Sequence, residues 1–322
     1  MSHESAALTV LDPGLLSTIQ DRGRRDVAKM GVSPSGFADW LSARTANRLV
    51  GNPQGAALIE TTLTGFAFTA LKTMYIAVTG AHAKVTVSGG DRPMWQSMRV
   101  REGADVRIGP AERGLRSYIA LHGGIEVPQV FGSASNDLTA GFGGLGGRAL
   151  ARGDELSLRA IDHELPEEER LVATSARPYW RQPAILRVVR GQHSSRFSSE
   201  DLAFLQHQTY RVSPRSSRQG VRLEGQGLAR SAGYDVLSCG VCAGCVQLSS
   251  DGLPIVLLAE HQTTGGYAVP LVVITADLPD AAQLRPGDQL RFQLVTQSEA
   301  GIALTEKGQA LTENLQHANA TG

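Results

Sequence analysis

The chain has 322 residues, and its 31 Lys and Arg balance 31 Asp and Glu. That balance leaves no global field to attract nucleic acid or an anionic membrane, and no apolar run approaches the roughly 20 residues of a bilayer span. A 42% hydrophobic content supports real cores in one large domain or two ordinary ones, while 36 glycines and 14 prolines point to tight turns and short strands.

The start, Met1-Ser2-His3-Glu4-Ser5, has no basic n-region and no apolar h-region, so no signal peptide is expected. Gln20, Asp21 and Arg24 then follow an apolar entry in a short polar loop. Asp21 there either orients Arg24 toward a carboxylate or phosphate, or closes the loop as a local ion pair. Next, Ser35 is read as the cap of a helix running to Val50, with Trp40, Leu41, Ala43, Ala46, Asn47 and Val50 at helical spacing and Gly51 as terminator. Ser33, Ser35 and Asp39 at such a helix start suit an anion as well as they suit capping.

Strand-like runs dominate from there on: Met74–Val78, Lys84–Val87, Ser117–Leu121, Ile185–Val189 and Leu271–Ile274, each bounded by Gly, Pro or charged turns. Gly141–Gly147 reads as a flexible loop ending in Arg148, and it lacks the Gly-x-x-x-x-Gly-Lys-Ser/Thr pattern of a P-loop. The acidic stretch beginning at Asp162 and the prolines 178 and 183 mark a linker or solvated helix. Two phrases recur on its two sides. Leu150–Leu158 is echoed by Leu284–Phe292, and Val32-Ser33-Pro34 by Val212-Ser213-Pro214, which suggests two related β-rich halves. Ser198 and Asp201 resemble a capping box ahead of Leu202–Leu205.

The densest polar cluster is Glu260–Tyr267, which follows the apolar run Ile255–Leu258. Gln262, Thr263, Thr264, Gly265, Gly266 and Tyr267 would present hydroxyls, an amide and bare backbone donors to a small polar or anionic ligand; the bland alternative is a Thr-rich hairpin turn. The three cysteines, Cys239, Cys242 and Cys245, make no disulfide framework and point to the reducing cytoplasm. They either remain buried free thiols or bind zinc with His261 or a foreign ligand in the fourth position, the free thiols being the default. The chain has no His-Glu-x-x-His and no Gly-x-Ser-x-Gly, so a self-sufficient hydrolase is not expected.

An ordered set of motifs resembles the family of 5-oxoprolinase C subunits, also described as KipA-like, biotin-dependent carboxyltransferase-like or allophanate hydrolase subunit 2. It comprises Gly14–Arg24, Gly31–Asp39, Ala46–Asn52, Gly123-Gly124, Val127-Pro128, Gly132-Ser133, Gly147–Leu150, Gly153-Asp154, Tyr210–Pro214, Gly220–Gly225, Gln262–Tyr267 and Leu284–Asp288. The resemblance implies a mainly β protein of two cyclophilin-like β-barrel halves with a few short helices. Their bounds are 1–160 and 183–298, with 161–182 as linker and 299–322 as a tail, either frayed helix or disordered. It implies a component of an ATP-dependent 5-oxoprolinase that opens 5-oxo-L-proline to L-glutamate, inactive alone. ATP with Mg2+ is then used by the complex, and no biotin is attached to this chain. The implied partners are a KipI-like B subunit and a LamB/YcsF-like A subunit, with a small lactam or urea-like substrate. Two alternatives come with the family: a KipA-like regulator of a KipI-like kinase inhibitor, and a carboxyltransferase served by a separate biotin carrier.

On this reading Asp21, Arg24, Asp39, Thr263 and Thr264 are the catalytic candidates. Gln20, Ser35, Arg148, Arg218, Arg222, Gln262, Gly265, Gly266 and Tyr267 are the substrate-binding candidates. Three positions depart from the family pattern: Ala134 and His261 stand where it has arginine, and Val269 where it has lysine. A site that relied on those cations has lost charge here.

Overall fold

A computed structural model of the protein describes residues 6–159, 169–178, 180–229, 235–313 and 315–317. The chain divides into two units, Met1–Arg24 with Ser35–Pro178 and Ala310–Gly322, and Arg25–Pro34 with Tyr179–Gln309. The protein is mainly β, as the resemblance implies, and no helix among the described residues is long and apolar enough to cross a membrane.

The first unit holds two sheets. The five-stranded one runs Leu16–Gln20, Leu58–Thr62, Arg113–Leu121, Met74–His82, Ser97–Val100. Its middle strand, Arg113–Leu121, sets Ile119 opposite both Ile59 and Val78, and all three are fully buried. Such β-branched runs suit a strand covered on both sides. The seven-stranded sheet runs Ile125–Glu126, Glu155–Leu158, Leu8–Asp12, Phe66–Ala70, Asp105–Ile108, Val85–Val87, Gly90–Arg92. Leu8, Phe66, Phe68 and Val106 from this sheet share one core with Ile59, Ile76 and Leu121 from the other.

Helix α1 (Trp40–Leu49) packs Ala43, Ala46 and Leu49 on that core, and Gly51, at φ 77°, ends it in the left-handed conformation that glycine tolerates. Its cap is Asp39 rather than Ser35: the Asp39 carboxylate accepts from Ser42 N–H at 2.9 Å and Ser42 Oγ–H at 2.6 Å. Ser35 lies four residues upstream at φ 51° and donates to the Asn136 carbonyl. Within the stretch expected as a linker, residues 161–168 lie outside the described residues, while Arg170–Val172 pairs with Leu315–His317.

The second unit is a closed barrel of Ala184–Arg190, Leu271–Val273, Cys245–Leu248, Pro254–Leu257, Gly220–Glu224, Tyr210–Val212 and Gln289–Leu294. The barrel closes through a parallel pairing, Ala184 opposite Leu290 to Val188 opposite Leu294. Leu186, Val188, Val246, Val256 and Leu271 fill it. Helix α2 (Ser199–His207) carries the capping box expected at Ser198 and Asp201. Helices α3 (Leu278–Ala282) and α4 (Gln297–Glu313) follow, so much of the expected tail is helical. Outside the barrel, Asp235–Gly240 and Thr264–Tyr267 form a two-stranded ribbon.

The repeated phrases fold alike. In one, Ala151 N–H donates to the Asp154 carboxylate at 2.7 Å, and Gly153 N–H and Val10 N–H exchange bonds with Val10 O and Asp154 O, both at 2.8 Å. In the other, Arg285 N–H donates to Asp288 at 2.8 Å, and Gly287 and Val212 N–H bond to Val212 O and Asp288 O, again at 2.8 Å. The counterpart of Val212 is therefore Val10. The echo at Val32 is a resemblance of letters only, because Val32-Ser33 lies outside any strand.

Candidate functional site

In the first unit the candidates converge on the Asp21 carboxylate. It accepts from Ser133 Oγ–H at 2.5 Å, Ser135 Oγ–H at 2.7 Å, and the N–H groups of Ala134 and Gly23, both at 2.8 Å. Four donors around one buried carboxylate compensate its desolvation. Arg24, also buried, does not pair with Asp21 in this network. Its Nε–H donates to Val130 O at 3.2 Å, Nη2–H donates to Ser135 O, and its guanidinium lies 4.5 Å above the Phe142 ring. The expected Asp21–Arg24 contact is thus replaced by two separate attachments to the 130–142 segment.

Gln20 and Ser35 join the same cluster through Asn136. Gln20 Nε2–H and Ser35 Oγ–H both donate to the Asn136 carbonyl, at 3.3 and 2.5 Å, and Asn136 Nδ2–H donates to Gly143 O and Arg148 O. A Cβ on Gly144 would lie 2.1 Å from Asn136 Oδ1, and one on Gly143 would lie 2.0 Å from Ser135 O. The glycines let the 141–147 loop press against this cluster. In the loop, Gly141, Gly144 and Gly147 N–H donate to the carbonyls of Asp137, Ala134 and Gly143 at 2.9, 2.9 and 2.8 Å. Arg148 at its end is exposed, and both of its Nη groups bond Asp154 at 2.7 Å.

Three consecutive N–H groups ahead of α1 stitch the next layer. Phe37 N–H donates to Asp21 O at 3.0 Å, Ala38 N–H to Glu60 Oε2 at 3.1 Å, and Asp39 N–H to Tyr118 Oη at 2.7 Å. Glu60 in turn faces Arg116 at 3.7 Å, both almost fully buried. Burial, with the Glu60 and Asp39 charges, holds the Tyr118 phenol well above its ordinary value. Glu60 and Arg116 were missed from sequence because a charge inside a strand reads as a solvated face, and Tyr118 because an aromatic in a strand reads as core. Their signal was alternation that fails to alternate: Glu60 follows Leu58 and Ile59 with no polar face between them. The 130–150 strand-poor segment carries the rest of the cluster. An open cleft of about 700 Å³ in this unit, lined by Asp12, Gly14, Lys84 and Arg107 among others, includes none of the expected site residues.

In the second unit the Glu260–Tyr267 segment splits by burial. Glu260 is buried and accepts from Arg218 Nε–H at 2.7 Å, a closed pair, since both side chains are almost wholly inside. His261 is buried as well, and its Nδ1–H donates to the Gln262 carbonyl at 2.7 Å; burial lowers its pKa, so it is neutral near pH 7. Gln262 and Thr264 are exposed, and Thr263, Gly265, Gly266 and Tyr267 are half-buried. Arg222 is exposed on the barrel strand Gly220–Glu224.

Beneath the glycines sits Gln247, which sequence reading passed over as the polar residue of an apolar strand. Its Oε1 accepts from Gln262 Nε2–H at 2.9 Å. Its own Nε2 is buried and has no hydrogen-bond partner among the described residues. That nitrogen would lie 2.4 Å from a Cβ at Gly265, so the absent side chain of Gly265 is what lets the amide come up against the ribbon. The unit therefore offers a cluster of neutral donors: two carboxamides, two threonine hydroxyls, a phenol and bare backbone. The lost cations fall in apolar or bonded surroundings. Ala134 and Val269 are fully buried, and Ala134 serves Asp21 only through its N–H. Among the described residues no group of three or more His, Cys, Asp or Glu stands close enough to hold a metal.

A mainly β protein of two units, each carrying a polar cluster on glycine-dependent backbone, is the class this structure defines. The chain belongs to the family described as carboxyltransferase domain, subdomain A and B, whose pattern matches residues 30–294. It is 33% identical over 295 residues to the C subunit of 5-oxoprolinase from Escherichia coli, covering 91% of this chain and 93% of that protein. The corresponding protein of Haemophilus influenzae matches to the same extent. Urea amidolyase of Saccharomyces cerevisiae is 31% identical over 90% of this chain and 17% of its own length. Among solved structures, the urea carboxylase of Kluyveromyces lactis superposes with a TM-score of 0.88 at 29% identity, over 97% of this chain and 29% of that one.

Proposed function

We propose that this chain is the C subunit of a 5-oxoprolinase complex that opens the lactam of 5-oxo-L-proline to L-glutamate at the expense of ATP. The observation that supports this reading most is the near end-to-end match to the Escherichia coli C subunit, 91% of one chain against 93% of the other. A lactam amide is a poor electrophile, and attack on it gathers negative charge on its oxygen, which preorganised donors stabilise. The neutral donors of the second unit (Gln247, Gln262, Thr263, Thr264 and the Gly265-Gly266 backbone) suit a neutral amide and its neighbouring polar atoms. Within the first unit, Asp21 and Asp39 act as positioning residues for that unit's own loops, since their carboxylates are already taken up by its donors.

Among the described residues, the glycine-rich loop leaves no room for Mg–ATP. The glycine-rich loop at 141–147 is filled by Asn136 and the Arg24 fork, and no described acidic cluster would hold the metal. On this reading the nucleotide is held by the other components, a KipI-like B subunit and a LamB/YcsF-like A subunit, in the cytoplasm. The test is ATP-dependent glutamate release from 5-oxoproline by the three chains together. Activity that vanishes when this chain is omitted supports the reading, and turnover by the other two alone overturns it.

The likeness to urea carboxylase favours a second reading, a carboxyltransferase that accepts CO2 from a biotin carrier on another chain. Incorporation of labelled bicarbonate into a urea-like substrate, with no glutamate release, would select it.

A further inference from the structure

Neither reading uses the cysteines. Only Cys245 is buried as expected; Cys239 is half-buried and Cys242 exposed. Cys242 and Cys245 are the two ends of a four-residue turn, closed by Cys245 N–H donating to Cys242 O at 3.1 Å. Turns of this kind hold their end Cα atoms within about 7 Å, which overlaps the roughly 4.4–6.8 Å a disulfide requires. The two Sγ atoms are already 3.6 Å apart. Access is divided between them: Cys242 faces solvent, while Cys245 packs with Leu257 and Val269.

We propose that Cys242 and Cys245 form a thiol–disulfide exchange site that takes a low-molecular-weight disulfide of the glutathione class, with Cys242 attacking and Cys245 resolving. The Cys242 thiolate attacks one sulfur of the small disulfide; the Cys242–reagent bond forms, the reagent's own S–S bond breaks, and one reagent half leaves as a thiolate. Cys245 loses its proton to solvent and attacks Cys242 Sγ, forming the internal bridge and expelling the second half. The two expelled thiolates take up two protons. Two protein thiols are oxidised by two electrons, and one disulfide is reduced to two thiols.

The electrostatics agree with this division. The hydrogen bond from the Cys245 thiol lowers Cys242 to about 7, and the same bond, with burial, raises Cys245. An attacking thiol with a pKa near ambient pH combines thiolate population with nucleophilicity. Cys239 is placed differently: its sulfur accepts from Gln192 Nε2–H at 3.1 Å and lies 3.8 Å from Gly265 O. The turn also abuts the ribbon, since Gly240 pairs with Thr264 and Val241 N–H donates to Thr263 O at 3.1 Å.

The test uses the full chain carrying Cys239→Ser, exposed to oxidised glutathione at pH 7, quenched in acid, alkylated and mapped by mass spectrometry. The expected product is a bridge between residues 242 and 245. Adding Cys245→Ser should leave a stable glutathione adduct on Cys242. Adding Cys242→Ser, an exposed and mild change, should slow modification about tenfold or more. An adduct on Cys242 that persists with Cys245 present overturns the proposal, as does equal reactivity of the two thiols. The readout is covalent and independent of turnover, so it stands or falls apart from the oxoprolinase reading.

Discussion

At the scale of single residues, Gly265 and Gln247 are one device. The glycine has ordinary backbone freedom here; what it supplies is space for a buried carboxamide that reaches up to Gln262. Gly265→Ala should therefore displace Gln247 and break its bond to Gln262, costing about 1 kcal/mol for the lost hydrogen bond and more for the crowding. In a Gln247→Ala background the 2.4 Å clash is gone, and the same alanine meets Gln262 Nε2, the end of a flexible side chain, at 3.3 Å. A double-mutant cycle on denaturation midpoints should give a coupling of about 0.5–3 kcal/mol, and additivity would remove Gln247 from the site. His261 gives a second prediction, in pH. Burial holds its folded pKa below the unfolded value of about 6.5. Between those two values the unfolded chain binds a proton that the folded chain refuses. The stability contribution is thus complete above about pH 6.5 and is lost as pH falls toward the folded pKa. His193, lowered by burial and then by Arg196, adds in the same direction. Midpoints measured from pH 8 to pH 5 should fall for the native chain and fall less for His261→Gln; identical slopes would show that His261 is not held neutral.

Elements were legible where local chemistry alone decides them. The Ser198–Asp201 capping box, the termination of α1 at Gly51 and the strand runs at 74, 117, 185 and 271 follow from caps, positive φ and β-branched residues, and the structure carries all of them. The cap of α1 was misplaced because Ser35 and Asp39 are both good caps, and only the tertiary pull of Asn136 and Tyr118 separates them. The paired turns at Gly153 and Gly287 show how far an internal echo can be trusted: the hydrogen bonds repeat, but the partner strand had to be seen to be Val10. Both glycines have positive φ, 86° and 91°, and a Cβ would meet nothing at Gly153 and only Arg211, at 3.8 Å, at Gly287. Alanine at either position should cost only the left-handed penalty, about 1–2 kcal/mol, and nearly the same in both halves. Chemical denaturation of the two variants checks this, and a cost well outside that range at one position would show the turns to be unequal in their surroundings.

On the scale of the whole molecule, sequence spacing suggested two halves but could not show which residues far apart in the chain share a core. The fold-determining contacts are long-range: Asp21 meets Ser133 to Ser135, Glu60 meets Arg116, and Ala184–Arg190 lies beside Gln289–Leu294. Local sequence can mark a single residue such as Glu60, whose charge breaks the alternation of its strand, but it cannot say that its partner is Arg116, nor that Gln247 lies under Gly265. The two units have separate apolar clusters, one centred on residues such as Ile76 and Ile119, the other on Leu186 and Val246. A single two-state free energy is then a poor description of the chain. Leu186→Ala deletes a fully buried side chain from the barrel and should cost about 2–5 kcal/mol there. Ile76→Ala should cost about as much in the two-sheet unit. Hydrogen exchange read by fragment should show each substitution lowering protection chiefly in its own unit, with Leu186→Ala opening Val246 and Val256 but leaving Ile119 and Val78 protected. If each variant loosens both sets equally, the two cores open as one cooperative block and the division into units has no energetic meaning.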